Sequence, residues 1–229
     1  MGFPKATIAI VTAFISGVLP ASALANVDAA PSLERQAEFT SQLVACIDRK
    51  SPENVTEFLA RGDLGVMRPA DIGWTATGFQ KKMSFPECMA EAGKAIGRSA
   101  TFNFDGALIR ALLIEHRYLR ANPNARNWTI PGSLPPRTFP ILDEEESLAR
   151  SVRAADCMTL ASPDLADRLI RTTRGSGAER AAAEALTPAF ATCFSDQSSQ
   201  PVQVQIAPAD MRRLTAESLW LLSGPSKAD

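Results

Sequence analysis

Two glutamates stand where carboxylates could do chemistry together. Glu115 follows Ile109-Arg110-x-Leu112 and precedes Tyr118-Leu119, while Glu217 follows Met211-Arg212-x-Leu214 and precedes Trp220-Leu221. Each lies three residues after one leucine and four before the next, which puts it beside the apolar stripe of an amphipathic helix. If the two helices are related by an approximate two-fold axis, the carboxylates converge, and a pair about 5 to 9.5 Å apart is the arrangement that hydrolyses glycosidic bonds. The other reading gives the same residues a structural task, with Glu115 and Glu217 held by Arg110, Arg212 or another arginine in ion pairs where helices meet. We prefer the second, because repeats duplicate structure more readily than active sites.

The rest of the chain offers little chemistry. Its one histidine, His116, excludes a histidine-rich zinc site and would have to carry any Ser-His-Asp triad alone. In "LIEHRYL" it sits beside the apolar stripe, and the matching position in the other half is Ser218, so it reads as structural. Nucleophile elbows, His-Glu-x-x-His and phosphate-binding loops are missing. In "RTTRGSGAERAAAEAL", Gly175 and Gly177 with Arg171, Arg174 and Arg180 suggest a phosphate cradle. Ser176-x-x-Glu179 in the same stretch is a capping box before an alanine-rich helix and explains it without a ligand. The acids Asp143 to Glu146 lack the spacing of a calcium loop and read as a helix start. No cofactor, metal site or catalytic residue is assigned.

These residues must be positioned by a pattern that occurs twice. Cys46-x4-Ser51-Pro52 returns as Cys157-x4-Ser162-Pro163, with Ile47, Phe58 and Leu59 matched by Met158, Leu169 and Ile170. "FPECM" (Phe85 to Met89) then lies against "FATCF" (Phe190 to Phe194), so Cys88 faces Cys193. "TFNFDGALIRALLIEHRYL" from Thr101 aligns without a gap with "QVQIAPADMRRLTAESLWL" from Gln203. We read an internal duplication, roughly Leu33 to Arg120 and Glu146 to Ser223. Four cysteines permit three connectivities; two in each half select Cys46 with Cys88 and Cys157 with Cys193.

The layout resembles an uncharacterised group of secreted alphaproteobacterial proteins with a duplicated cysteine, Ser-Pro and Arg-x-Leu pattern. The resemblance covers most of the chain after its first 25 residues and implies no activity.

Local patterns supply the elements. Leu33, Ala37, Leu43, Val44 and Ile47 mark an amphipathic helix. Ser51-Pro52-Glu53 and Ser162-Pro163-Asp164 read as helix starts, with serine as N-cap, proline at the first position and an acid in the first turn. Phe102-Asn103-Phe104 and Val202 to Ile206 alternate as strands do, which predicts that Thr101 to Phe104 pairs with Val202 to Ile206 as an antiparallel ribbon joining the halves. The expected fold is therefore mainly α, with two tandem helical repeats, a small two-stranded β ribbon and two disulfides. Residues 121–145, with five prolines, read as a linker anchored by Trp128 and Phe139.

The first 25 residues, with Lys5, an apolar run from Ala6 to Leu19 and Ala23-Leu24-Ala25, form a secretory signal; Pro20 ends the run short of a membrane span. The organisation expected is 1–25 signal peptide, 26–120 first repeat, 121–145 linker and 146–229 second repeat, the repeats packing as one domain. No later segment reaches spanning length. Losing Lys5 leaves a small acidic excess and no electrostatic case for nucleic acid. The expectation is an exported protein, periplasmic or secreted, that binds a protein, peptide or glycan of the envelope or extracellular space. The alternative is a small hydrolase of envelope polysaccharide using Glu115 and Glu217.

Overall fold

The Ser-Pro turns set the architecture in the computed structural model, which describes residues 32–63, 68–96, 106–125, 146–195 and 205–223. Helix α1 (Leu33–Lys50) starts at Ser32, whose Oγ accepts from Arg35 N. It ends where Ser51 N–H bonds the Ile47 carbonyl at 2.9 Å, and the Ser51 carbonyl then accepts from Val55 N at 2.9 Å to open α2 (Pro52–Arg61). Ser162 does the same between α6 (Glu146–Ala161) and α7 (Pro163–Arg171), bonding Met158 O and Ala166 N. Proline fits just after each serine because its missing N–H would have had no partner there. The capping is done by backbone alone. Neither serine hydroxyl bonds a first-turn amide, since one residue serves as the end of one helix and the start of another; Ser51 Oγ instead lies 2.9 Å from Ser84 Oγ.

The first half continues through a 3-10 turn at Pro69–Ile72, α3 (Ala76–Lys82), α4 (Phe85–Ile96) and α5 (Gly106–Ala121). The second half has one long helix, α8 (Gly177–Ser195), where the first has α3 and α4, and closes with α9 (Pro208–Ser223). Disulfide Cys46–Cys88 joins α1 to α4 and Cys157–Cys193 joins α6 to α8, with Cα separations of 5.5 and 5.8 Å. Cys46, Cys88 and Cys193 are buried, while Cys157 reaches the surface. Each bridge closes a loop, and the constraint it places on the unfolded chain contributes about 2–4 kcal/mol. Among the described residues, no helix is long and apolar enough to cross a membrane.

Among the described residues, three apolar clusters fill the interior. Phe39, Leu43, Ile47, Phe58, Trp74 and Phe79 lead the first, an aromatic core between α1 and α5. The second is leaner, with Val152, Ala155, Met158, Leu186 and Phe190. The third lies on the seam, where Ile114 and Tyr118 of α5 meet Ala166 and Ile170 of α7 and Ala216 and Leu219 of α9. The small side chains of Ala166 and Ala216 suit close packing of these helices. The described residues belong to one compact unit.

One expectation is overturned. The β ribbon is absent: no strand occurs among the described residues, and Gln205 and Ile206 run as irregular chain into α9. Thr101 to Phe104 and Val202 to Val204 lie outside the described residues. The alternation ending at Ile206 has another cause, because Ala207 accepts from Asp210 N and Met211 N as N-cap, and Ile206 just before it packs into the same cluster as Met211. That is a hydrophobic staple, which places an apolar residue ahead of a helix without any strand. Of the leucines that flank the two glutamates, Leu112 and Leu214 are buried, whereas Leu119 and Leu221 are only half-buried, since Tyr118 and Leu219 take the innermost positions. Trp128, Phe139 and most of the linker lie outside the described residues.

Candidate functional site

The two glutamates are reached from α5 and α9, which pack across the seam. Arg110 donates from Nε to Glu217 Oε1 at 2.6 Å and from Nη2 to Oε2 at 3.3 Å. Arg212 donates from Nε to Glu115 Oε2 at 2.9 Å and from Nη2 to Oε1 at 2.7 Å. Each half therefore holds the other's carboxylate. The remaining donors are also matched: Arg110 Nη1 bonds Leu59 O at 2.7 Å, and Arg212 Nη2 bonds Ile170 O at 2.7 Å. Leu59 and Ile170 occupy equivalent places in the last turns of α2 and α7, where unpaired carbonyls and the helix dipole both favour a cation. All four side chains are buried, with Arg212 only 2% exposed.

Glu115 and Glu217 thus have arginine partners at the helix interface. Each guanidinium fork engages both oxygens of its carboxylate, so each glutamate is tied to an arginine of the other half. The arrangement is a buried structural exchange. Around Glu115 it extends further, because Arg174 also donates to Oε2, and Arg212 Nη1 reaches Thr172 Oγ1 at 3.0 Å and Glu179 Oε1 at 3.2 Å.

The glycine-rich stretch belongs to this cluster. Glu179 N bonds Ser176 Oγ at 3.1 Å, and Glu179 Oε2 accepts from Gly175 N at 2.6 Å. Two amides of this stretch, Gly175 N and Glu179 N, are thus spent on capping α8. Gly175 adopts φ 73°, a left-handed turn that glycine takes without strain. Arg171 turns to Asp167 Oδ2 at 2.7 Å and to the carbonyls of Asn122 and Asn124, fixing the start of the linker.

Sequence reasoning missed further buried acids, Asp48 and Asp167 among them. Asp48 accepts from Arg117 Nε at 2.7 Å and Arg120 Nη1 at 2.8 Å, with His116 Nε2 at 3.6 Å. Asp167 accepts from Tyr118 Oη at 2.5 Å besides Arg171. The available signal was an acid on an apolar helix face, as Asp48 stands four residues after buried Val44. Burial holds the His116 imidazole below its ordinary pKa, an effect that Asp48 opposes and Arg120 and Arg117 reinforce. It is a neutral, half-buried ring beside a saturated carboxylate. No cluster of metal-ligating side chains occurs among the described residues, and Asp143 to Glu145 lie outside them.

An open cleft of about 650 Å³ adjoins the Glu115 cluster. Helix α1 forms one wall with Glu34, Glu38 and Ser41; the turn Thr172 to Arg174 forms another; and α5 contributes Leu112, His116, Leu119 and Arg120. Its volume falls within the usual range for small-ligand sites.

No protein-family model, curated protein or solved structure matches the chain.

Proposed function

We propose that this chain is an exported, disulfide-stapled helical-repeat protein that binds a partner in the cell envelope or extracellular space and performs no catalysis. The observation that carries the reading is the fate of Glu115 and Glu217: both are consumed by arginine forks that hold the halves together. The hydrolase reading required both carboxylates free in one cleft; Glu115 lines the cleft, but both of its oxygens are held by Arg212, and Glu217 is held by Arg110. Export is supported by the signal-like first 25 residues and by two disulfides, which persist in oxidising compartments such as the periplasm or the extracellular medium. Duplication is supported by the twice-used Ser-Pro turn, the equivalent disulfides and the reciprocal Arg-Glu exchange.

The test is retention of envelope components on the immobilised, oxidised protein lacking residues 1–25, set against a Ser41→Arg variant that fills the cleft from an exposed position. Saturable retention that Ser41→Arg abolishes is the expected result. Equal retention by both proteins, or release of reducing sugar from envelope polysaccharide by the wild type, would overturn the proposal.

A further inference from the structure

We propose that the cleft beside Glu115 binds a short peptide with free termini, its ammonium group against α1 and its carboxylate against the Thr172 to Arg174 turn. This rests on the binding reading above and names the ligand class. The argument begins with charge left over on the walls. Glu34 and Glu38 lie one helical turn apart, both exposed, and neither has a cationic partner among the described residues; Glu38 accepts only from Gln42 Nε2 at 3.3 Å. Like charges at this spacing repel on a helix. An ammonium placed between them would relieve that repulsion.

The turn supplies a cation at the cleft. Arg174 shares Glu115 with Arg212, in a cluster where these two arginines face Glu115 and Glu179, and it also lines the cleft. Arg174 keeps 22% of its side chain exposed, and next to it Thr173 presents an exposed hydroxyl. Together they can donate to a carboxylate at the cleft's edge, where Arg117 and Arg120 share the single carboxylate of Asp48 and Arg120 stands 71% exposed. The lining also includes Ala37, Val44, Leu112, Leu119 and Ile170, beside Thr40 and His116. An anionic wall, a cationic wall and these apolar side chains match a peptide of a few residues with small or apolar side chains. A neutral glycan would leave both walls unanswered, and desolvating charge without a partner is costly.

Calorimetric titration of the oxidised protein lacking residues 1–25 with trialanine and trileucine, each also in N-acetylated and C-amidated form, tests the assignment. Free termini should bind saturably, and either cap should weaken binding about tenfold, the loss expected for one charge-assisted contact. A Glu34→Gln/Glu38→Gln variant should lose the sensitivity to acetylation and keep that to amidation, and Thr173→Glu should weaken the acid more than the amide. These are exposed positions, and circular dichroism checks that the variants keep the fold. Absence of saturable binding, indifference to both caps, or tighter binding of neutral chitotriose would overturn the peptide assignment. If the peptides fail while Ser41→Arg still abolishes envelope retention, the ligand class falls and the binding reading stands. If Ser41→Arg leaves retention intact, the reading itself has failed.

Discussion

Arg212 and Glu115, 97 residues apart in the chain, meet as a two-point fork at 2.7 and 2.9 Å. Arg110 and Glu217 make the reverse pair at 2.6 and 3.3 Å. Because all four groups are buried, their worth differs sharply between losing one partner and losing both.

Arg110→Met strands Glu217 in the interior and should cost about 3–5 kcal/mol, whereas Arg110→Met with Glu217→Met should recover most of that loss. Urea unfolding of the two single variants and the double variant measures the coupling. Additive losses would show that the exchange does not link the halves energetically.

Peptide mapping without reductant should recover Cys46 joined to Cys88 and Cys157 joined to Cys193, as the structure has them. Replacing either pair by serine should lower stability by about 2–4 kcal/mol. A loss confined to one pair would mean that the other closes a loop already ordered in the unfolded chain.

Leu112→Ala and Leu214→Ala remove buried side chains at equivalent positions and should each cost about 2–5 kcal/mol. Leu119→Ala and Leu221→Ala, at half-buried positions, should cost clearly less. Thermal unfolding of the four variants checks the ordering, and a reversed order would contradict the packing of α5 and α9.

Acid should weaken the fold through His116. Burial lowers its pKa in the folded chain from the ordinary 6.5, so the unfolded state takes up the proton first. The stability it permits is complete above that value and is lost as pH falls through 6.5 towards the folded pKa. His116→Gln should flatten this part of the stability profile between about pH 7 and pH 5. The groups around the ring are Asp48, Glu115, Arg117 and Arg120, and an unchanged slope would show that His116 does not carry the loss.

What the chain discloses before folding is local or duplicated. A serine followed by proline announces a helix start from its own chemistry, and two cysteines per half leave a simple pairing. Glu115 and Glu217 can be placed beside an apolar stripe with arginines near, because helical spacing dictates that. Spacing is silent on which helix lies opposite, so the exchange of partners across the seam is not readable. The ribbon fails for a related reason: five alternating residues look alike whether they pair with another strand or end in the staple formed by Ile206 and Met211. Asp48 and Asp167 stay hidden because Arg117 and Tyr118, which bond them, approach from a helix distant in sequence.

Neither disulfide crosses the seam; Cys46–Cys88 and Cys157–Cys193 each close within one half. A nick anywhere between Ala125 and Glu146 would therefore leave two fragments with no covalent bond between them, mated by the seam cluster and the two ionic forks. The connecting segment then acts as a tether that raises the local concentration of one half around the other, rather than as the bond that makes them one body.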